Sequence, residues 1–168
     1  MGDGSDSLTA NLVDVDKGLA HRLAVLAEFA QWQVAVGVLE DGKASDPKKQ
    51  DPELTVLFVA SIHEFGAPSA EPPIPERSFV RAYVDEHEAQ IRGWQKALAH
   101  RAFRGETTAK QALDQLGAAV AGGMQARIAA GIAPPNAQAT IERKGSSTPL
   151  VDKGQLRASI TWHVRKAT

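Results

Sequence analysis

The chain has 168 residues, enough for one domain and too few for two full ones. With 43% apolar and 23% charged residues it has a globular balance that excludes wholesale disorder. Twenty acids against 19 bases exclude a uniformly basic nucleic-acid coat, and the absence of cysteine excludes disulfides, thiolate zinc sites and thiol nucleophiles. The charge is unevenly placed: residues 1–53 hold ten acids and five bases, residues 106–168 four acids and eight bases. Met1 to Asp6 lacks the positive charge and apolar run of a signal peptide, and Leu116 to Met124 is too short to span a bilayer. No membrane association is expected.

Residues 1–15 are expected as a flexible N-terminal segment and residues 16–168 as a single domain. Asp14 or Asp16 caps a helix over 17–31, in which Leu19, Leu23, Leu26 and Ala30 recur at helical spacing. Trp32 to Leu39 alternates, with Val34, Val36 and Val38 on one face of a strand. Residues 40–53 are charged, carry Pro47 and Pro52, and read as an exposed loop or hairpin arm. Leu54 to Phe65 reads as a helix that starts at Asp51 or Pro52 and ends on Gly66. Four prolines within 67–77 demand an extended arm.

Ser78 to Val80 reads as a short strand running into one long helix, striped by Val84, His87, Ile91, Trp94 and Leu98 and ended by Arg104-Gly105. Asp85, Glu86 and Glu88 read as a solvated face, with Glu88 and Arg92 in the favourable i,i+4 order. Thr107 or Thr108 caps the next helix, which presents Leu113, Leu116, Val120, Met124 and Ile128 to the core. Gly117, Gly122 and Gly123 inside it point to close approach by a neighbour, or to a kink. Gly131 and Pro134-Pro135 stop it. A short helix from Asn136 to Arg143, a loop over 144–149 and a turn or short helix over 152–157 follow. Ser159 to Arg165 alternates as the last strand, with Ile160, Trp162 and Val164 inward. The fold class is α+β: a small, mostly antiparallel sheet packed with two long helices, with extended loop arms.

Motifs for chemistry fail on their own terms. Gly37 to Lys43 follows the spacing of a phosphate loop, but Ala44 stands where a magnesium-holding hydroxyl belongs, and Glu40 and Asp41 would face phosphate. His63-Glu64 and His87-Glu88 open like zinc-protease helices, yet Ala67 and Ile91 occupy the places of the second histidine. Ser146 and Ser147 lie in a loop with no nucleophile elbow around them. No enzyme activity, metal or cofactor is expected. Arg143-Lys144, Lys153, Arg157 and Arg165-Lys166 around Trp162 motivate an alternative, a nucleic-acid-binding regulator or assembly factor using the basic C-terminal third.

Three segments together carry a resemblance. The first is Ile62-His63-Glu64-Phe65-Gly66-Ala67-Pro68, followed by Ile74 to Arg81. The second is the small-residue helix Leu116 to Ile132, ending in Pro134-Pro135-Asn136. The third is Ala139 to Gly145, then Pro149 to Ile160. In this order they resemble the neck and tail-completion proteins of long-tailed bacteriophages and prophages, over residues 54–164. Where that family usually reads Asp-Thr-Gly, this chain has Asp152-Lys153-Gly154.

The resemblance implies a non-enzymatic virion protein that completes the tail and joins it to the neck at the head–tail junction. Such proteins form rings, commonly of six copies, around the DNA channel. The implied partners are further copies of the chain, head-closure or connector proteins, and tail-terminator or tail-tube proteins, with nonspecific contact to DNA in the channel. Phe65, Pro68, Pro75, Arg77, Phe79 and Arg81 are the candidate subunit contacts, with Phe79 either an anchor for a neighbour or a plug for its own core. Gly66, Leu150, Asp152, Gly154, Leu156 and Ser159 are the candidate fold-defining positions.

Overall fold

The two alternating segments find each other. The structure, a computed structural model, describes residues 18–39, 55–134 and 154–167. In it β1 (Trp32–Val38) and β2 (Ile160–Lys166) form a two-stranded antiparallel ribbon. Val34 stands opposite Val164, Val36 opposite Trp162 and Val38 opposite Ile160. Residues directly opposite share a face, so both apolar sets form one surface. Gln33 and Ala35 pair with Arg165 and His163 on the other.

The helices are α1 (Leu19–Ala30), α2 (Val56–Phe65), α3 (Arg81–Glu86), α4 (Glu88–Phe103), α5 (Ala109–Ala130) and α6 (Gln155–Ser159). The α+β expectation holds: helices pack on one antiparallel ribbon. The start of α5 is written locally. The Thr108 hydroxyl accepts from the Gln111 N–H, and the Gln111 side chain accepts from the Thr108 N–H, a closed capping box. Helix α5 then crosses the ribbon and buries Leu116, Val120, Met124 and Ile128 against Phe79, Tyr83, Leu156 and Ile160.

The glycines of α5 are not equivalent. A Cβ on Gly117 would stand 2.5, 2.7 and 2.9 Å from Cδ1, Cγ and Cβ of Trp162. At Gly123 it would collide with the Tyr83 ring, whereas at Gly122 it meets nothing within 4 Å. Close approach is therefore the reason for two of the three. Gly122→Ala should stabilise the protein by about 1 kcal/mol through helix propensity. Gly117→Ala gains the same propensity but drives into the root of a strand side chain, an overpacking cost of about 1–3 kcal/mol. Its net effect should be destabilising. Opposite signs in urea unfolding of the two variants check this.

Several expectations need correction. Ser78 to Val80 is not a strand, because its backbone N–H groups go to a side chain described below. The single long helix after it is two helices. His87 adopts φ −114°, ψ 16°, outside the helical region, and its Nδ1 lies 3.0 Å from the Tyr83 carbonyl oxygen that also takes the His87 N–H. Glu86 is not a free solvated charge but pairs with Arg127 of α5. Helix α2 begins at Val56, where Thr55 caps it by accepting from the Phe58 N–H, later than the Asp51 or Pro52 start. The proline-rich arm is not extended throughout. Ala67 and Ile74 exchange backbone hydrogen bonds of 2.8 and 3.0 Å, folding it back on itself.

Other boundaries moved little. The strands are 32–38 and 160–166 rather than 32–39 and 159–165, and α1 spans 19–30 with Gly18 as its N-cap. The acidic cap residues 14 and 16, the 1–15 segment, the 40–53 arm, the 136–143 helix and the 144–149 loop lie outside the described residues.

Candidate functional site

Glu64 is the sole acid between residues 54 and 70, in the last turn of an apolar helix. Its helical position points it inward, where it is 7% exposed. One carboxylate oxygen, Oε1, accepts from the Ser78 hydroxyl at 2.7 Å and the Arg81 N–H at 2.9 Å. The other, Oε2, accepts from the N–H groups of Phe79 at 2.9 Å and Val80 at 3.0 Å. The Ser78 oxygen in turn accepts from the Ala82 N–H at 3.0 Å. One side chain of α2 thus does the work of an N-cap for α3 and holds the bend that aims Phe79 at the core.

Burial raises the Glu64 pKa, but hydrogen bonds from Ser78, Val80, Arg81 and Phe79 together outweigh it and leave the value below the ordinary 4.5. A depressed folded-state pKa means that the unfolded chain binds the proton more readily. The stability it confers is complete above about pH 4.5 and is lost as pH falls through the folded value. The stability gap between wild type and Glu64→Gln should therefore narrow below about pH 4.5. Denaturant titrations at a series of pH values read this directly. A gap that stays constant would show that Glu64 does not titrate with folding.

The six candidate contact residues divide. Phe65 is 66% exposed, with the Arg81 guanidinium 5.8 Å from its ring centroid and Arg81 paired to Glu76. Pro68 and Pro75 are exposed on either side of the Ala67–Ile74 bridge. Arg77 and Phe79 are placed otherwise. Arg77 is 5% exposed, its Nε donates to the Pro134 carbonyl at 2.8 Å, and its N–H donates to the His63 carbonyl at 2.7 Å. Burial lowers its pKa. Phe79 is 1% exposed and fills its own core. Both are enclosed within their own subunit, Phe79 in the core-plug position that was its alternative reading.

Of the fold-defining positions, Gly66 has φ 74°, and a Cβ there would stand 2.9 Å from the Glu76 backbone nitrogen. Gly154 has φ 69° and serves as N-cap of α6; Leu156 is buried, and the Ser159 hydroxyl donates to the Leu156 carbonyl at 2.8 Å. Leu150 and Asp152 lie outside the described residues.

Two apolar stripes face outward. On α1, Leu19, Leu23 and Leu26 are 63%, 56% and 53% exposed, while Val25 is the buried residue of that helix. On α2, Phe58 is 50% exposed and shares its helix face with Phe65. Beside α2 runs a groove of about 360 Å³ walled by Val36, Val38, Leu57 and Phe65. The leucine spacing was visible in the sequence, but not its direction. A larger opening of about 580 Å³ is lined by Tyr83, His87, Trp94 and Arg127. Tyr83 stacks on His87 with ring centroids 4.3 Å apart, and Arg127 is held by Glu86. Among the described residues no cluster of three or more His, Asp or Glu is placed to hold a metal, and no helix is long and apolar enough to cross a membrane. Comparison with protein-family models, curated protein sequences and solved structures found no match.

Proposed function

We propose that this chain is a structural subunit that acts by assembling with copies of itself. The form of the assembly in this reading is a ring of six copies, the number that the sequence's resemblance to phage neck and tail-completion proteins implies. In this reading the ring completes a phage tail at the head–tail junction and joins it to head-closure proteins around the DNA channel. The observation that carries self-assembly is the outward stripe Leu19–Leu23–Leu26, each more than half exposed. A stripe of large apolar side chains at i, i+4 and i+7 is the form in which a helix engages a groove. The phage setting rests on the ordered motifs of residues 62–81, 116–136 and 139–160.

Two measurements test the proposal. Electron microscopy of intact particles should show copies of the chain as a ring at the head–tail junction. Their absence from the particle removes the structural reading. In solution, Leu23→Glu should weaken self-association by about tenfold or more, since burying a leucine contributes about 1.5–3 kcal/mol. Its unfolding free energy should stay within about 0.5 kcal/mol of wild type, as for other exposed helical positions. Equal association of variant and wild type would sink the role of the stripe.

A further inference from the structure

We infer that copies of this chain join head to tail, with the leucine stripe of α1 in one copy seated on the Phe58–Phe65 face of α2, and its adjoining groove, in the next. The inference rests on the self-assembly reading and names its two surfaces. The first observation is their placement. Helix α1 runs directly into the Trp32 end of β1 through Gln31. The α2 groove is walled by Val36 and Val38 at the opposite end of that strand. Seven residues of strand separate the two ends by roughly 23 Å. Two different apolar surfaces at opposite ends of one subunit form a heterologous pair, which closes into rings rather than twofold dimers when the rotation permits.

The second observation is charge. Arg22 is exposed on the flank of the leucine stripe, at i+3 from Leu19 and four before Leu26. Glu71 is exposed on the turn that leaves α2 after Phe65. Neither belongs to any ion pair among the described residues, although five other acid–base pairs are formed. The donor stripe therefore carries an uncompensated positive charge, and the acceptor end carries an uncompensated negative one. Such a pair fixes orientation and rejects the reversed contact, stripe on stripe, which would oppose Arg22 to its own copy.

The third observation is area. The five exposed side chains Leu19, Leu23, Leu26, Phe58 and Phe65 offer roughly 100 Å² of apolar surface apiece. A stable interface takes roughly 800 Å² from each partner, a little over half of it apolar. The three leucines supply about two thirds of the apolar part on their side and the two phenylalanines a little under half on theirs. The isolated contact is consequently weak, and a closed ring, in which every subunit makes two such contacts, is the arrangement that makes it persist.

A charge exchange in the full-length chain tests the contact. Sedimentation and native mass spectrometry follow self-association up to about 1 mM, the range in which weak contacts register. Arg22→Glu and Glu71→Arg should each weaken association by about tenfold or more, because each sets like charges against each other. The double variant should recover to within about threefold of wild type, and all three should melt with wild type because both positions are exposed. The proposal is overturned by any of four results. The first is singles that match wild type in association, and the second a double variant as weak as the singles. The third is a wild type that stays monomeric throughout. The fourth is a Leu23→Glu that lowers the melting temperature without changing association, which would mean that the chain itself covers the stripe. A ring in particles with no effect of the charge exchange keeps the structural function and rejects this contact.

Discussion

Glu64→Ala should destabilise the protein by about 3–5 kcal/mol, the range for removing one member of a buried charged network. The melting temperature should fall by about 10 °C. Three backbone N–H groups and the Ser78 hydroxyl lose their acceptor at once. A hydrogen bond to a charged group is worth about 1.5–3 kcal/mol, so four would sum to more than the predicted loss. The difference is the desolvation cost of the carboxylate, which the variant recovers. Glu64→Gln should fall between. It keeps the shape, but Oε1 and Oε2 each accept two hydrogen bonds, so the amide nitrogen must face donors in either orientation. With the amide toward Ser78, the hydroxyl can turn to accept, but the Arg81 N–H is left without an acceptor. A cost of about 1–3 kcal/mol is expected. Thermal denaturation of wild type, Glu64→Gln and Glu64→Ala should give that order; wild-type stability in Glu64→Ala would show that water replaces the carboxylate without loss.

This carboxylate also marks where the sequence stopped being legible. Local signals translated well. Of the two threonines that could cap α5, Thr108 does so, three residues before the Gln111 that closes its capping box. Val34, Val36 and Val38 alternate, as do Ile160, Trp162 and Val164, and the ribbon pairs them face to face. Glu64 is different because its partners lie 14–17 residues away. No periodicity in 54–65 encodes the bend at 78–80, where the sequence reads as a short strand. The direction of α1 was hidden for a related reason. Spacing shows that a helix has an apolar face but not what that face meets. Here the core takes Val25 and leaves the leucines outside. Gly117, Gly122 and Gly123 look alike in sequence, yet Trp162 and Tyr83 distinguish them through contacts from distant parts of the chain.

The candidate contact set contains two phenylalanines with opposite fates, and paired truncations should separate them. Phe79→Ala should cost about 3–5 kcal/mol of stability, the range for emptying a fully buried aromatic site. Phe79 is 1% exposed and, with Met124 and Ile128, among the largest wholly enclosed side chains of the described residues. Its loss opens a cavity where α2, α5 and the start of α3 meet, and the Glu64 clamp that holds its backbone prevents easy collapse. The effect must appear in dilute protein, because it belongs to the single subunit. Phe65→Ala should do the reverse. Phe65 is 66% exposed, and within the subunit it loses mainly the Arg81 contact, worth about 0.5–1 kcal/mol at an exposed site. Its larger effect should fall on association at high concentration. Urea unfolding in dilute solution and sedimentation in concentrated solution read the two effects independently. If Phe79→Ala kept wild-type stability while losing association, Phe79 would be a contact residue after all, and the enclosed position would have to open before assembly.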